Sequence, residues 1–160
     1  MGVSESRRGP SGGALPGLTP PLEEVTARLR RLFQREGVAL GYLFGSCAQG
    51  AMRPDSDVDI AVVLDGSGEE LYERFRRLIV GVRDALGTER FDLLLLNRAP
   101  PTLKFDVITT GKLLYAESEE RLNDFEADAF RRYLDTAHLR AVQGEYLRQR
   151  ARAWCSENER

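Results

Sequence analysis

Apolar positions first recur at helical spacing over Leu22, Val25, Leu29, Leu32 and Phe33, with Arg28, Arg30, Arg31 and Arg35 largely off that stripe. The spacing predicts a helix opened by Thr19-Pro20-Pro21, with Glu23 and Glu24 in its first turn and Gly37 as its stop. The period then changes. Val38–Phe44 (VALGYLF) is a nearly continuous apolar run and reads as a buried strand. Gly45 to Arg53 holds a tight turn and a short helix, and Asp57–Leu64 (DVDIAVVL) reads as a second strand closed by the Asp65-Gly66 turn. Leu71, Phe75, Leu78, Ile79, Val82 and Leu86 mark an amphipathic helix that Gly87 ends.

Phe91–Leu96 (FDLLLL) is a third strand, broken by Asn97-Arg98-Ala99-Pro100-Pro101. A short helix follows through Thr109 with Gly111 as its stop, and Lys112–Ala116 reads as a fourth, edge strand. From Ser118 to about Arg152 the chain is helical, with Leu122, Phe125, Tyr133 and Leu134 as its apolar contacts and a bend at Asp135–Ala137. This order predicts an α+β fold with a short mixed sheet and a helical C-terminal segment.

Composition adjusts the ends of this picture. The first 21 residues hold five of the 15 glycines and four of the seven prolines. Such a stretch buries too little apolar surface to offset its ordering entropy, so 1–21 is expected to be a flexible tail. Residues 22–117 form the expected core, with 118–160 a helical segment packed on it. Lys and Arg number 23 against 25 Asp and Glu. That near-neutral balance argues against an indiscriminate polyanion binder, and direct nucleic-acid binding is not expected. The longest apolar run is far shorter than the about 20 residues of a spanning helix, and the N-terminus has no signal-like apolar core. Two distant cysteines, Cys47 and Cys155, give no disulfide framework. A cytoplasmic protein without membrane contact is expected.

The chemistry concentrates in GSCAQGAMRPDSDVD, residues 45–59. Asp57 and Asp59 are two apart at a strand entrance, so both carboxylates share one side. Held that close, they repel unless a cation lies between them. Mg²⁺ suits hard oxygen ligands and commonly takes one or two carboxylates plus substrate phosphates. Gly45-Ser46 stands at a strand end, where exposed backbone N–H groups favour a phosphate. Asp92 is an acid within an apolar strand, and an unpaired charge there is costly. Beside the second strand it could join the same metals, or accept the proton of an attacking hydroxyl. Together these residues suggest metal-assisted phosphoryl or nucleotidyl transfer.

Competing motifs fail on inspection. Ala51-Met52 stands where a P-loop needs Lys-Ser/Thr. An EF-hand starting at Asp55 would place Ile60 at the Gly position and Gly66 at the Glu position. There is no Gly-x-Ser-x-Gly elbow at Ser46.

Gly45-Ser46, ten residues, then Asp57-x-Asp59 resembles the signature of the DNA polymerase β-like nucleotidyltransferases, in their minimal branch. Leu96-Asn97-Arg98-Ala99-Pro100-Pro101 and Gly111-Lys112-Leu113-Leu114-Tyr115 resemble the MntA-type antitoxins of HEPN/MNT toxin–antitoxin pairs. The resemblance implies a short mixed sheet with helices packed on one side. It implies that Gly45 and Ser46 hold triphosphate oxygens of ATP, that Asp57 and Asp59 bind two Mg²⁺ ions, and that Asp92 is the third carboxylate. It further implies transfer of AMP from ATP to a tyrosine of a partner HEPN ribonuclease toxin, in a complex with it. Family members often read Gly-Ser-x-Ala-Arg-Gly, and Gln49 here removes a cation near the phosphates. Two alternatives stand beside this reading: a non-catalytic antitoxin that occludes its toxin, and a nucleotidyltransferase with a small-molecule acceptor.

Overall fold

In the computed structural model, residues 22–48 and 57–158 are described. The expected 1–21 tail, with Thr19-Pro20-Pro21, lies outside them, as does Gln49. Helix α1 (Leu22–Glu36) leads into β1 (Val38–Phe44), the short α2 (Gly45–Ala48) and, further on, β2 (Val58–Leu64). Helix α3 (Gly68–Leu86) connects β2 to β3 (Phe91–Leu95). A single 3-10 turn at Leu96–Arg98 precedes α4 (Pro101–Thr110), β4 (Lys112–Ala116), α5 (Glu119–Asp135) and α6 (Ala137–Asn158).

The strands form one four-stranded sheet in the order β3-β2-β1-β4. β1 pairs antiparallel with both β2 and β4, while β2 and β3 run parallel. The expected mixed sheet is therefore present, with β3 and β4 at its edges. The helices, however, lie on both faces, which corrects the one-sided arrangement expected from the resemblance. On one face Val25, Leu29, Leu32 and Phe33 of α1 and Leu71, Leu78, Val82 and Leu86 of α3 pack on Val58, Ile60, Val62 and Leu64 of β2. On the other, Val107 of α4 and Leu122 and Phe125 of α5 pack with Leu40, Tyr42 and Ala61. Both faces of β1 and β2 are thus covered, which is why β1 reads as an unbroken apolar run.

Local chemistry explains the element ends. Gly87 takes a left-handed conformation (φ 70°), and its N–H donates to the Arg83 carbonyl to close α3. Pro101 begins α4, where a missing N–H costs nothing. Ser118 caps α5 by accepting the Arg121 N–H at 3.2 Å. Asn97 has a longer reach: its amide donates to the Leu64 carbonyl at 2.8 Å and accepts the Leu64 N–H at 3.0 Å. It thereby extends the β3-facing edge of β2 beyond its last rung, Val62–Leu95. Helix α6 is tied to the end of α5 by Arg140, which donates to the Tyr133 carbonyl, and leaves Leu139, Val142, Tyr146, Leu147 and Trp154 exposed. Among the described residues, no helix is long and apolar enough to cross a membrane.

Gly41 in β1 sits beneath Phe33, where an added Cβ would stand 2.5 Å from the ring. Phe33 is wholly buried, so the ring has little room to yield. Gly41→Ala is expected to cost about 1–3 kcal/mol of stability, as overpacked cores do, and chemical denaturation measures it directly.

Candidate active site

Side chains alternate along β2: Val58, Ile60 and Val62 face α1 and α3, so Asp59 and Ala61 face the α4 and α5 side. β3 alternates likewise, with Phe91, Leu93 and Leu95 on the first face and Leu94 on the second, which puts Asp92 with Asp59. The register makes the meeting direct, because Asp59 is the partner of Asp92 across the parallel ladder. Neighbouring strands lie about 4.8 Å apart, so the two carboxylates stand side by side. Asp57 precedes β2 on the same side as Asp59. All three predicted acids come to one end of the sheet.

Their electrostatics follow from that placement. Partial burial pushes the Asp59 carboxyl above its ordinary range, and the charges of Asp92 and Asp57 push it the same way. Asp57 accepts a hydrogen bond from the Nε–H of Arg90 at 3.3 Å. Sequence reasoning passed over Arg90, an exposed residue just before a strand that shows no periodic signal.

β1 delivers the remaining residues. Phe44, its last residue, pairs with Asp59, so Gly45 and Ser46 begin α2 directly beside the carboxylates. Gly45 has φ 67°, and a Cβ there would stand 2.2 Å from Oδ2 of Asp59. Only glycine lets the β1–α2 turn lie this close to the carboxylate. Ser46 follows in α2, half-buried. The ends of β1, β2 and β3 thus bring Gly45, Asp57, Asp59 and Asp92 together, with Ser46 next to Gly45 in α2.

Among the described residues, no group of three or more His, Cys, Asp or Glu side chains is placed so that it could hold a metal ion. The donor chemistry nevertheless suits Mg²⁺. Hard carboxylate oxygens repel one another at an accessible sheet end, and Mg²⁺ usually completes its shell with waters and phosphates rather than with a protein cage.

Known proteins share this fold. A chain of a toxin–antitoxin crystal structure with AMP-PNP superimposes with a TM-score of 0.63 at 26% identity, covering 76% of this chain and 98% of that one. A chain from the structure of a tri-AMPylated Shewanella oneidensis HEPN toxin in complex with MNT antitoxin superimposes with a TM-score of 0.60 at 23% identity, covering 78% and 98%. A chain of an MntA-HepT toxin–antitoxin structure gives the same TM-score, 0.60, at 23% identity and the same coverage, 78% and 98%. No curated protein matches the chain. The family model described as polymerase beta, nucleotidyltransferase, matches residues 28–120, which span all four strands and the five site residues. With more than half its length matched by that model, and with acids and glycine gathered at one end of the sheet, the chain belongs to the polymerase beta nucleotidyltransferase family.

Proposed function

We propose that the protein is the antitoxin of a toxin–antitoxin pair and transfers AMP from ATP to a tyrosine of a partner HEPN ribonuclease toxin. The observation that carries the reading is the Asp59–Asp92 pairing, with Asp57 on the same side and Gly45 against the Asp59 carboxylate. The structural likeness to chains crystallised as toxin–antitoxin assemblies, one with AMP-PNP and one with an AMPylated toxin, supports the partner and the nucleotide.

In this reading Asp57 and Asp59 hold Mg²⁺, two ions in all, with Asp92 as the third carboxylate. The metal, when bound, neutralises phosphate charge and stabilises the attacking and leaving oxygens. Gly45 and Ser46 hold triphosphate oxygens and orient the α-phosphorus towards the open sheet end. The tyrosine oxygen attacks that phosphorus, the bond to pyrophosphate breaks, and Asp92 accepts the phenolic proton. The products are tyrosine-linked AMP and pyrophosphate. The expected setting is the cytoplasm.

Intact mass spectrometry tests this. The purified protein is mixed with the product of the adjacent gene, ATP and Mg²⁺, and the partner is weighed. The expected result is a gain of whole AMP units that disappears with Asp57→Asn. A stable complex without any gain would overturn it. That outcome would favour neutralisation by binding alone, for which the exposed apolar side chains of α6 are the supporting feature.

A further inference from the structure

We infer that Arg90 is a resident counter-ion of this site: it holds Asp57 in the free protein and takes a phosphate oxygen of the nucleotide when that binds. The inference rests on the nucleotidyltransferase reading and adds a residue that neither motif nor fold family assigned here. It starts from register. Val58 is opposite Phe91 and Asp59 is opposite Asp92, so the preceding rung sets Asp57 opposite Arg90. The Val58 N–H donates to the Arg90 carbonyl at 3.2 Å and fixes that rung at the mouth of the ladder. By alternation Arg90 shares a face with Asp92, as Asp57 does with Asp59. The two rungs that flank Val58–Phe91 therefore present three acids and one arginine on one face, and the Arg90 Nε–H closes the outer rung on Asp57 at 3.3 Å.

The ion pair is built to be exchanged. Its two side chains are 50% and 52% exposed, so it is screened by solvent and adds little to folding stability. A guanidinium stays charged at every working pH and matches phosphate oxygens with a planar fork. A triphosphate entering a site of three carboxylates needs positive charge from the chain as well as from the metal. Three other cations are engaged elsewhere: Arg98 with Tyr72, Arg121 with Asp65, and Lys104 with the Asn97 carbonyl. Lys112 begins β4 but alternates to the face of Leu114, which packs in the α1 and α3 core.

The proposal predicts effects of opposite sign. Arg90→Gln removes the competitor for Asp57, so Mn²⁺ alone is expected to bind at least about threefold tighter by calorimetry. The same variant loses a charge-assisted phosphate contact, so AMP-PNP is expected to bind about tenfold more weakly, both in EDTA and with Mg²⁺. Arg90→Lys keeps the charge without the fork and is expected to recover part of both shifts. Movement of the two affinities in the same direction, or no movement of either, would overturn the role of Arg90. Wild-type protein that binds AMP-PNP while Arg90→Gln binds it equally well sinks this inference alone. Wild-type protein that binds no nucleotide sinks the transferase reading with it.

Discussion

Asp59→Asn is expected to lower AMP transfer by about a thousandfold while raising the melting temperature of the metal-free protein. The first effect follows from losing one charged ligand of the proposed site. Several kcal/mol of transition-state stabilisation go with it, at tenfold per about 1.4 kcal/mol. The second follows from the electrostatics of the folded chain. Burial, Asp92 and Asp57 all raise the Asp59 carboxyl, so the folded state binds its proton more tightly than the unfolded state does. At pH above both values the charge therefore opposes folding. Its contribution becomes favourable as pH falls through the raised value and is complete below the unfolded one. Asn removes the charge and its opposition. Thermal unfolding in EDTA near neutral pH should move upward in the variant, and the gain should shrink as the buffer is acidified. A variant with full transfer activity would remove Asp59 from the site. One with a lowered melting temperature would contradict the repulsion between the acids.

Gly45→Ala is expected to reduce transfer by about a hundredfold without replacing a carboxylate. The new methyl would stand 2.2 Å from Oδ2 and 3.0 Å from Cγ of Asp59. The short side chain cannot clear it without leaving its place beside Asp92. Displacing a reacting group by about 1 Å costs on the order of a hundredfold. The substitution also puts an L side chain at φ 67°, at a cost of about 1–2 kcal/mol. Gly87→Ala separates the two effects. Its φ is 70°, and nothing lies within 4 Å of the added methyl. It should lose comparable stability and keep full transfer in the same assay.

How these residues came to be legible differs from one to the next. β1 was readable to the residue because both its faces are buried and glycines bracket it, at Gly37 and Gly45. Helix α3 and its end at Gly87 were readable from periodicity and one left-handed stop. The Asp57–Asp59 pair was visible because strand alternation is local. The partnership of Asp59 with Asp92 was only conditional, since it depends on β3 lying beside β2, a choice made by tertiary packing. The two-sided covering was hidden in α4, whose sequence PTLKFDVITT has no marked apolar face yet buries Val107. Arg90 was invisible for the opposite reason: its role comes from the rung it occupies, which no single-strand pattern encodes.

The parallel pairing of β2 and β3 also sets when the protein can begin to work. A ribosome releases β1 and β2 early, and these two can pair antiparallel as they emerge. The Asp59–Asp92 rung must wait for the whole of α3 to cross over and for β3 to leave the exit tunnel. Parallel crossovers close slowly because a long loop must be ordered before its contacts form. A nascent or truncated chain ending within α3 therefore carries the GSx10DxD signature and no assembled site. On the proposed reading, a chain gains its site only once β3 has docked beside β2.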